Sequence, residues 1–320
     1  MQSTIGERGI DQEMQHEELE RVSQNLFLLD LEQDMEGYRK FISCWIYKSN
    51  EGNFLVDPGP SSTIPKLISA LRALNIEKLD YALLTHLHLD HAGGIGNLVK
   101  EFPTQVAVHE GALKHLIDPS KLWAGSLSIL GEVAEKYGRM EPVPRDMLIS
   151  EQEIALGNKT IKALDTKGHA PHHRSYLFDG ILFAGEASGV YLDLGGGDFY
   201  LRPPTPPPFH LETAIDSLDK LGKLDFSMLC FGHFGHSSNP AVVKEFQEQL
   251  LRWKDTIGRV LSKHYLSEDR LIEECIDRLK EEDPLFGKIE RLDRDIQARE
   301  RYYAGNSIRG FLSYLRKEYG

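Results

Sequence analysis

Ten residues, THLHLDHAGG from Thr85 to Gly94, constrain this chain more than any other stretch. They follow the apolar run Tyr81-Ala82-Leu83-Leu84, which reads as a short buried strand, and lead into a glycine-containing segment that can turn into a helix. The motif crowds His86, His88, Asp90 and His91 together. Imidazole and carboxylate suit zinc, manganese or iron, and ligands bunched at a strand end can converge on one point. His86 and His88, two residues apart, share one side of an extended segment, while Asp90 and His91 fall on the turn beyond it. Such spacing can hold two neighbouring metals. The plain alternative, ordinary histidines on a polar turn, suits a single histidine better than this dense pattern after a buried strand.

The pattern resembles the signature of the metallo-β-lactamase superfamily, and four further elements continue the resemblance in family order over roughly Leu26 to His236. Asp57 in FLVDPGP matches the aspartate that ends an early strand, and His169 in DTKGHAPHH matches the third histidine. Glu186 in LFAGEASG occupies the bridging carboxylate position, and His233 in CFGHFG matches the last ligand. The resemblance implies an α/β protein, a four-layer αββα sandwich, with His86, His88 and His169 on one ion and Asp90, His91 and His233 on a second. It implies supporting roles for Asp57 and His173, two divalent ions with zinc favoured over iron or manganese, and hydrolysis as the reaction. Relatives usually carry aspartate where Glu186 stands. The longer side chain either bridges with a shifted backbone or reaches one ion only, leaving a single metal on His86, His88 and His169.

At 320 residues and 41% hydrophobic, the chain can bury a sizeable core in one large or two smaller domains. The opening MQSTIGERGIDQEMQHEELE has no apolar core for a signal peptide, and no span of about 18 uninterrupted apolar residues occurs, so a soluble, cytoplasmic protein without a membrane partner is expected. Cys44, Cys230 and Cys275 are far apart and odd in number, which argues against a disulfide framework and a cysteine zinc site. All three are expected reduced, with Cys230 packed beside the His233 loop. Residues 240–320 hold 16 basic and 16 acidic side chains, so the net charge of −12 sits wholly in residues 1–239, at 21 against 33. An acidic metal-bearing half lacks a nuclease's basic footprint, which argues against nucleic acid.

Three regions are expected: a polar leader over 1–24, the metal-binding domain over 25–239 and a helical C-terminal appendage over 240–320. Strands are expected at Asn25–Leu31, Lys40–Tyr47, joined through Gly37, and Asn53–Val56, followed by a helix to Leu74 capped by Ser61 or Ser62. A helix over Gly96–Phe102 and a strand over Gln105–His109 continue the alternation of a layered α/β protein. Residues 118–150 read as a long lid or binding loop, with Trp123 and Tyr137 as candidate pocket walls. Thr160–Leu164 is a strand delivering His169; His172 is expected at a pocket rim or in solvent. Ser175–Phe178 and Ile181–Ala184 read as a hairpin around Asp179-Gly180. Gly195-Gly196-Gly197 reads as a flexible loop, not a phosphate cradle. Tyr191, Tyr200 and Arg202 are candidate substrate contacts, and Pro203–Pro208 a rigid pocket wall. His210 opens a helix to Leu221, Phe226–Phe231 carries His233, and His236 is a weaker ligand candidate. Beyond Pro240, two apolar stripes mark helices, Val242-Val243-Phe246-Leu250-Trp253 and Leu271-Ile272-Cys275-Ile276-Leu279. Asn306 precedes a last helical run.

The expected activity is hydrolysis of a small ester, thioester or lactone, with Asp90 orienting the nucleophile or protonating the leaving group. Two other readings carry different consequences: a mononuclear iron dioxygenase acting on a thiol or persulfide, and a non-catalytic regulatory protein that kept the fold. The C-terminal helices either shape substrate entry or mediate a homodimer.

Overall fold

Alternating apolar residues from Leu26 onward build a seven-stranded sheet, beginning with β1 (Leu19–Arg21), β2 (Leu26–Asp30), β3 (Ser43–Lys48) and β4 (Asn53–Val56), each antiparallel to the next. The computed structural model describes residues 18–262 and 267–319. Its contacts divide the chain into two units, Met1–Asp34 with Arg39–Thr160, and Met35–Tyr38 with Ile161–Gly320.

In the first unit the sheet turns parallel after β4. Helix α1 (Ile64–Ala73) returns the chain to β5 (Tyr81–Leu83), and α2 (Leu89–Ala92) with α3 (Ile95–Glu101) leads to β6 (Gln105–Ala107). After α4 (Leu113–Ile117), α5 (Ser120–Leu130) and α6 (Glu132–Tyr137), β7 (Leu148–Ile149) completes the sheet, and β8 (Glu153–Leu156) follows. β3 and β4 are almost wholly buried, as parallel and central strands require. Three local expectations change here. Leu19–Arg21, inside the expected leader, pairs with β2, while residues 1–17 of that leader lie outside the described residues. Neither serine caps the first helix: Ser61 Oγ has Gly93 O and Arg139 O, both at 2.8 Å, sharing its one proton, and Ser62 Oγ donates to Gln33 Oε1 at 3.0 Å. Residues 118–150 are mostly helical, with α5 and α6 in place of a loop; α5 has no buried residue at all.

The second unit starts with β9 (Lys159–Asp165), antiparallel to β10 (Arg174–Phe178), which is antiparallel to β11 (Ile181–Gly185). The β10–β11 turn has Asp179 at φ 52° and Gly180 at φ 76°, the paired positive angles of a tight hairpin. β12 (Val190–Gly195) and β13 (Asp198–Arg202) form a separate hairpin, so the glycine triplet is a strand-to-strand turn rather than a loose loop. Helix α7 (Leu211–Leu221) leads to β14 (Met228–Phe231), parallel to β11, and β15 (His236–Ser237) closes that edge. The last three helices are α8 (Val242–Leu261), α9 (Glu268–Glu282) and α10 (Arg294–Tyr319). Both expected stripes are buried, and they share one core with Tyr200, Leu201, Leu229 and Phe231. Asn306 opens no helix: α10 runs unbroken through it for 26 residues, because its neighbours Ala304, Ile308 and Phe311 are packed against that core. No helix among the described residues is long and apolar enough to cross a membrane.

Candidate metal centre

β5 delivers the chain directly to the histidine motif. Leu84 N–H donates to Ala107 O at 2.9 Å, after which Thr85 leaves the ladder and turns to Asp57. Thr85 N–H donates to Asp57 Oδ1 at 2.8 Å and Thr85 Oγ1 to Oδ2 at 2.6 Å. Asp57 holds φ 56°, a left-handed conformation that costs about 1 kcal/mol for a residue with a Cβ. That backbone cost accompanies a role: Asp57 Oδ2 also lies 3.0 Å from His91 Nδ1.

Proton counting then fixes the rings. The single Thr85 hydroxyl proton goes to Asp57, so at 3.0 Å its oxygen accepts from His86 Nδ1–H. The Asp57 carboxylate likewise takes the Nδ1–H of His91. Both imidazoles therefore present a bare Nε2. That of His86 faces His88 Nδ1 at 3.0 Å, and that of His91 faces Asp90 Oδ2 at 3.7 Å. Burial of His86 and His91 is complete.

The second unit repeats the logic. His169 Nδ1 lies 2.7 Å from Pro204 O, a carbonyl that can only accept, so His169 Nε2 is the bare nitrogen. It faces Glu186 Oε2 at 2.8 Å, while the other carboxylate oxygen, Oε1, lies 3.5 Å from His233 Nε2. Glu186 thus spans two imidazoles. It reaches this position because β11 carries one extra residue between Phe183 and Gly185 relative to β14, a bulge that re-aims the chain at the strand end. Glu186 N–H donates to His173 Nε2 at 3.2 Å; His173 Nδ1–H donates to Thr166 Oγ1 at 2.9 Å, Thr166 Oγ1 to Ser175 Oγ at 2.8 Å, and Ser175 Oγ to Ala184 O at 3.1 Å. Both ring nitrogens of His173 are spent, which makes it the support of Glu186 and not a ligand. His233 is held through its backbone, whose carbonyl accepts from Tyr191 N–H at 2.8 Å.

These residues fit a metal. His169 Nε2 opposite a carboxylate oxygen at 2.8 Å sets acceptor against acceptor, an arrangement that is repulsive without a cation or a proton between them. The donor set of imidazole and carboxylate suits a borderline divalent ion.

Tyr200 and Arg202 are buried against α10, where Arg202 Nε donates to Glu300 Oε2 at 2.7 Å and Tyr200 OH to the same oxygen at 3.2 Å. Tyr191 stacks on Phe231 at 4.6 Å between ring centroids, and burial, then Asp193, push its phenol up to about 12. Trp123 lies half-buried on α5, whereas Tyr137 is buried. His109 caps the turn after β6 by accepting from Gly111 N–H at 3.0 Å. His172 and His236 are half-buried, and Cys230 is buried on β14. The orienting residues Thr85, Thr166, Ser175 and Pro204 carried no signal of their own in the sequence, since hydroxyls and a proline carbonyl acquire roles only from what faces them.

Comparison with known proteins adds a second kind of support. The family model described as the metallo-beta-lactamase superfamily matches residues 37–233. The metallo-beta-lactamase fold-containing protein ST1585 of Sulfurisphaera tokodaii is 31% identical over 204 residues, covering 62% of this chain and 74% of that protein. A hydroxyacylglutathione hydrolase of Vibrio campbellii is 27% identical over 220 residues, covering 67% and 71%. The crystal structure of metallo-beta-lactamase family protein TTHA1429 from Thermus thermophilus superposes with a TM-score of 0.66 at 20% identity, over 93% of this chain and 95% of that one.

Proposed function

Because this chain belongs to the metallo-beta-lactamase superfamily, we propose that it is a metal-dependent hydrolase of a small ester, thioester or lactone. The observation that carries the proposal is Glu186, one of whose oxygens faces His169 and the other His233. A glutamate so placed can serve two ions. In this reading His86, His88 and His169 would hold one ion and Asp90, His91 and His233 the other, with Glu186 available to both.

Divalent ions held there supply water with a pKa lowered towards ~7 and a Lewis acid for the substrate oxygen. The chain's own residues do the rest. Asp57 and Thr85 keep bare nitrogens turned inward, so no ring must flip before the ligand is needed. Asp90, whose Oδ2 stands beside His91 Nε2, orients the attacking water and carries a proton to the leaving group. Hydrolysis is supported by the relative named hydroxyacylglutathione hydrolase. The acidic balance supports a small substrate over a polyanion.

Elemental analysis of the purified protein, combined with ester, lactone and thioester screening, tests the proposal. Two zinc, manganese or iron ions per chain with turnover are expected, and His88→Ala is expected to lower kcat/KM by about 100-fold or more, roughly 3 kcal/mol of transition-state stabilisation. One iron per chain with oxygen uptake and no hydrolysis would replace this reading by the dioxygenase one.

A further inference from the structure

The long helix α10 presents four residues at heptad spacing, Glu300, Tyr303, Ser307 and Gly310, to a single stretch of chain, Arg202 to Thr205. Glu300 accepts from Arg202, and the Arg202 guanidinium lies 5.8 Å from the centre of the Tyr303 ring. Ser307 Oγ donates to Pro203 O at 2.6 Å, with Tyr303 O further away at 3.1 Å, and accepts from Thr205 N–H and from Arg202 Nη1, each at 3.4 Å. Thr205 Oγ1 returns a bond to Ser307 O at 3.1 Å. Gly310 lets the helix close on this stretch, for a Cβ there would stand 1.8 Å from Thr205 O. Pro204 is caught in the middle. It has no N–H and a ring-fixed φ, so gripping its two neighbours fixes the direction of its carbonyl. That carbonyl takes the Nδ1–H of His169 at 2.7 Å.

We propose that Ser307 is a positioning residue for the metal ligand His169, acting through the Pro203–Thr205 stretch, so that α10 belongs to the construction of the metal centre. The inference rests on the metal-centre reading above and adds to it a residue 138 positions distant in sequence from the ligand it aims. Apart from Tyr303 O on its own helix, every partner of this hydroxyl belongs to residues 202–205.

Zinc titration of the full-length apo-protein against a competing chromogenic chelator tests it. Ser307→Ala is expected to weaken one of the two zinc ions by about tenfold or more, as loss of a ligand's outer support does, and to leave the other unchanged. Thr205→Val, which keeps shape and removes one bond to Ser307, is expected to weaken the same ion less, and it decides the matter alone if Ser307→Ala does not fold. Tyr314→Phe, which removes the bond from α10 to Glu212 without touching the stretch, is expected to lower the urea midpoint while keeping wild-type zinc affinity. Wild-type affinity for both ions in both Ser307→Ala and Thr205→Val would overturn the positioning role. Absence of zinc binding by the wild-type protein would instead overturn the metal centre itself.

Discussion

Asp57 spends both carboxylate oxygens on orientation, one on the Thr85 backbone and the other on the Thr85 hydroxyl and the His91 ring. Asp30 shows what happens to a carboxylate without such company. Its Oδ2 accepts from Lys40 N–H at 2.7 Å, but Oδ1 is buried with no hydrogen-bond partner. Burial pushes its pKa up to about 6, with Lys40 and Lys66 opposing and Glu32 and Glu18 assisting. The folded state therefore keeps a proton that the unfolded chain releases near 3.8, so stability falls as pH rises between 3.8 and about 6. Asp30→Asn is expected to flatten that slope and to gain on the order of 1–2 kcal/mol above pH 6. Urea midpoints of the two proteins from pH 4 to 8 check it, and equal slopes would contradict it. The proposed metal ligands of the first motif stand out at this scale because His-x-His-x-Asp-His is dense and local. The partner of Tyr200 and Arg202, Glu300, was not readable, because a polar side chain shortly after His169 and Glu186 looks the same whether it faces a substrate or a buried glutamate.

Among the elements, α10 depends on a buried charge cluster. Glu300 is fully buried between Arg202 and Arg299, with Nε donating to it at 2.7 and 2.9 Å respectively. Burial alone would raise its pKa, but the two guanidiniums outweigh burial and hold it down at about 2. The stability this cluster contributes is thus present above the unfolded value of 4.5 and lost as pH falls from 4.5 towards 2. Glu300→Gln removes the carboxylate that two buried guanidiniums share and is expected to cost about 3–5 kcal/mol at pH 7. It should also remove most of the acid-induced loss between pH 4.5 and 2, which thermal melts across that range would reveal. Strands and the amphipathic helices α8 and α9 were legible from period two and period 3.6. The Glu300, Tyr303, Ser307, Gly310 stripe was not, since it is polar and small and no hydrophobicity pattern marks it.

At the scale of the molecule, the proposed centre makes stability metal-dependent. Removing metal with a chelator should lower the melting temperature, and restoring zinc to 1,000 times its dissociation constant should recover about 4 kcal/mol. His88→Ala and His169→Ala, one from each unit, should each blunt that recovery; a melt indifferent to chelation would count against the centre. By itself the sequence determined the family, the strand-and-helix alternation and the chemical types of the ligands, because a tight motif and its period depend only on neighbours along the chain. Only the tertiary structure decided that Glu186 spans His169 and His233, that Asp57 and Thr85 set the imidazole tautomers, and that α10 reaches Pro204. Those outcomes rest on a bulge, a proton count and a helix-to-loop contact between residues tens to a hundred positions apart, and such distances are fixed by packing, which no local pattern encodes.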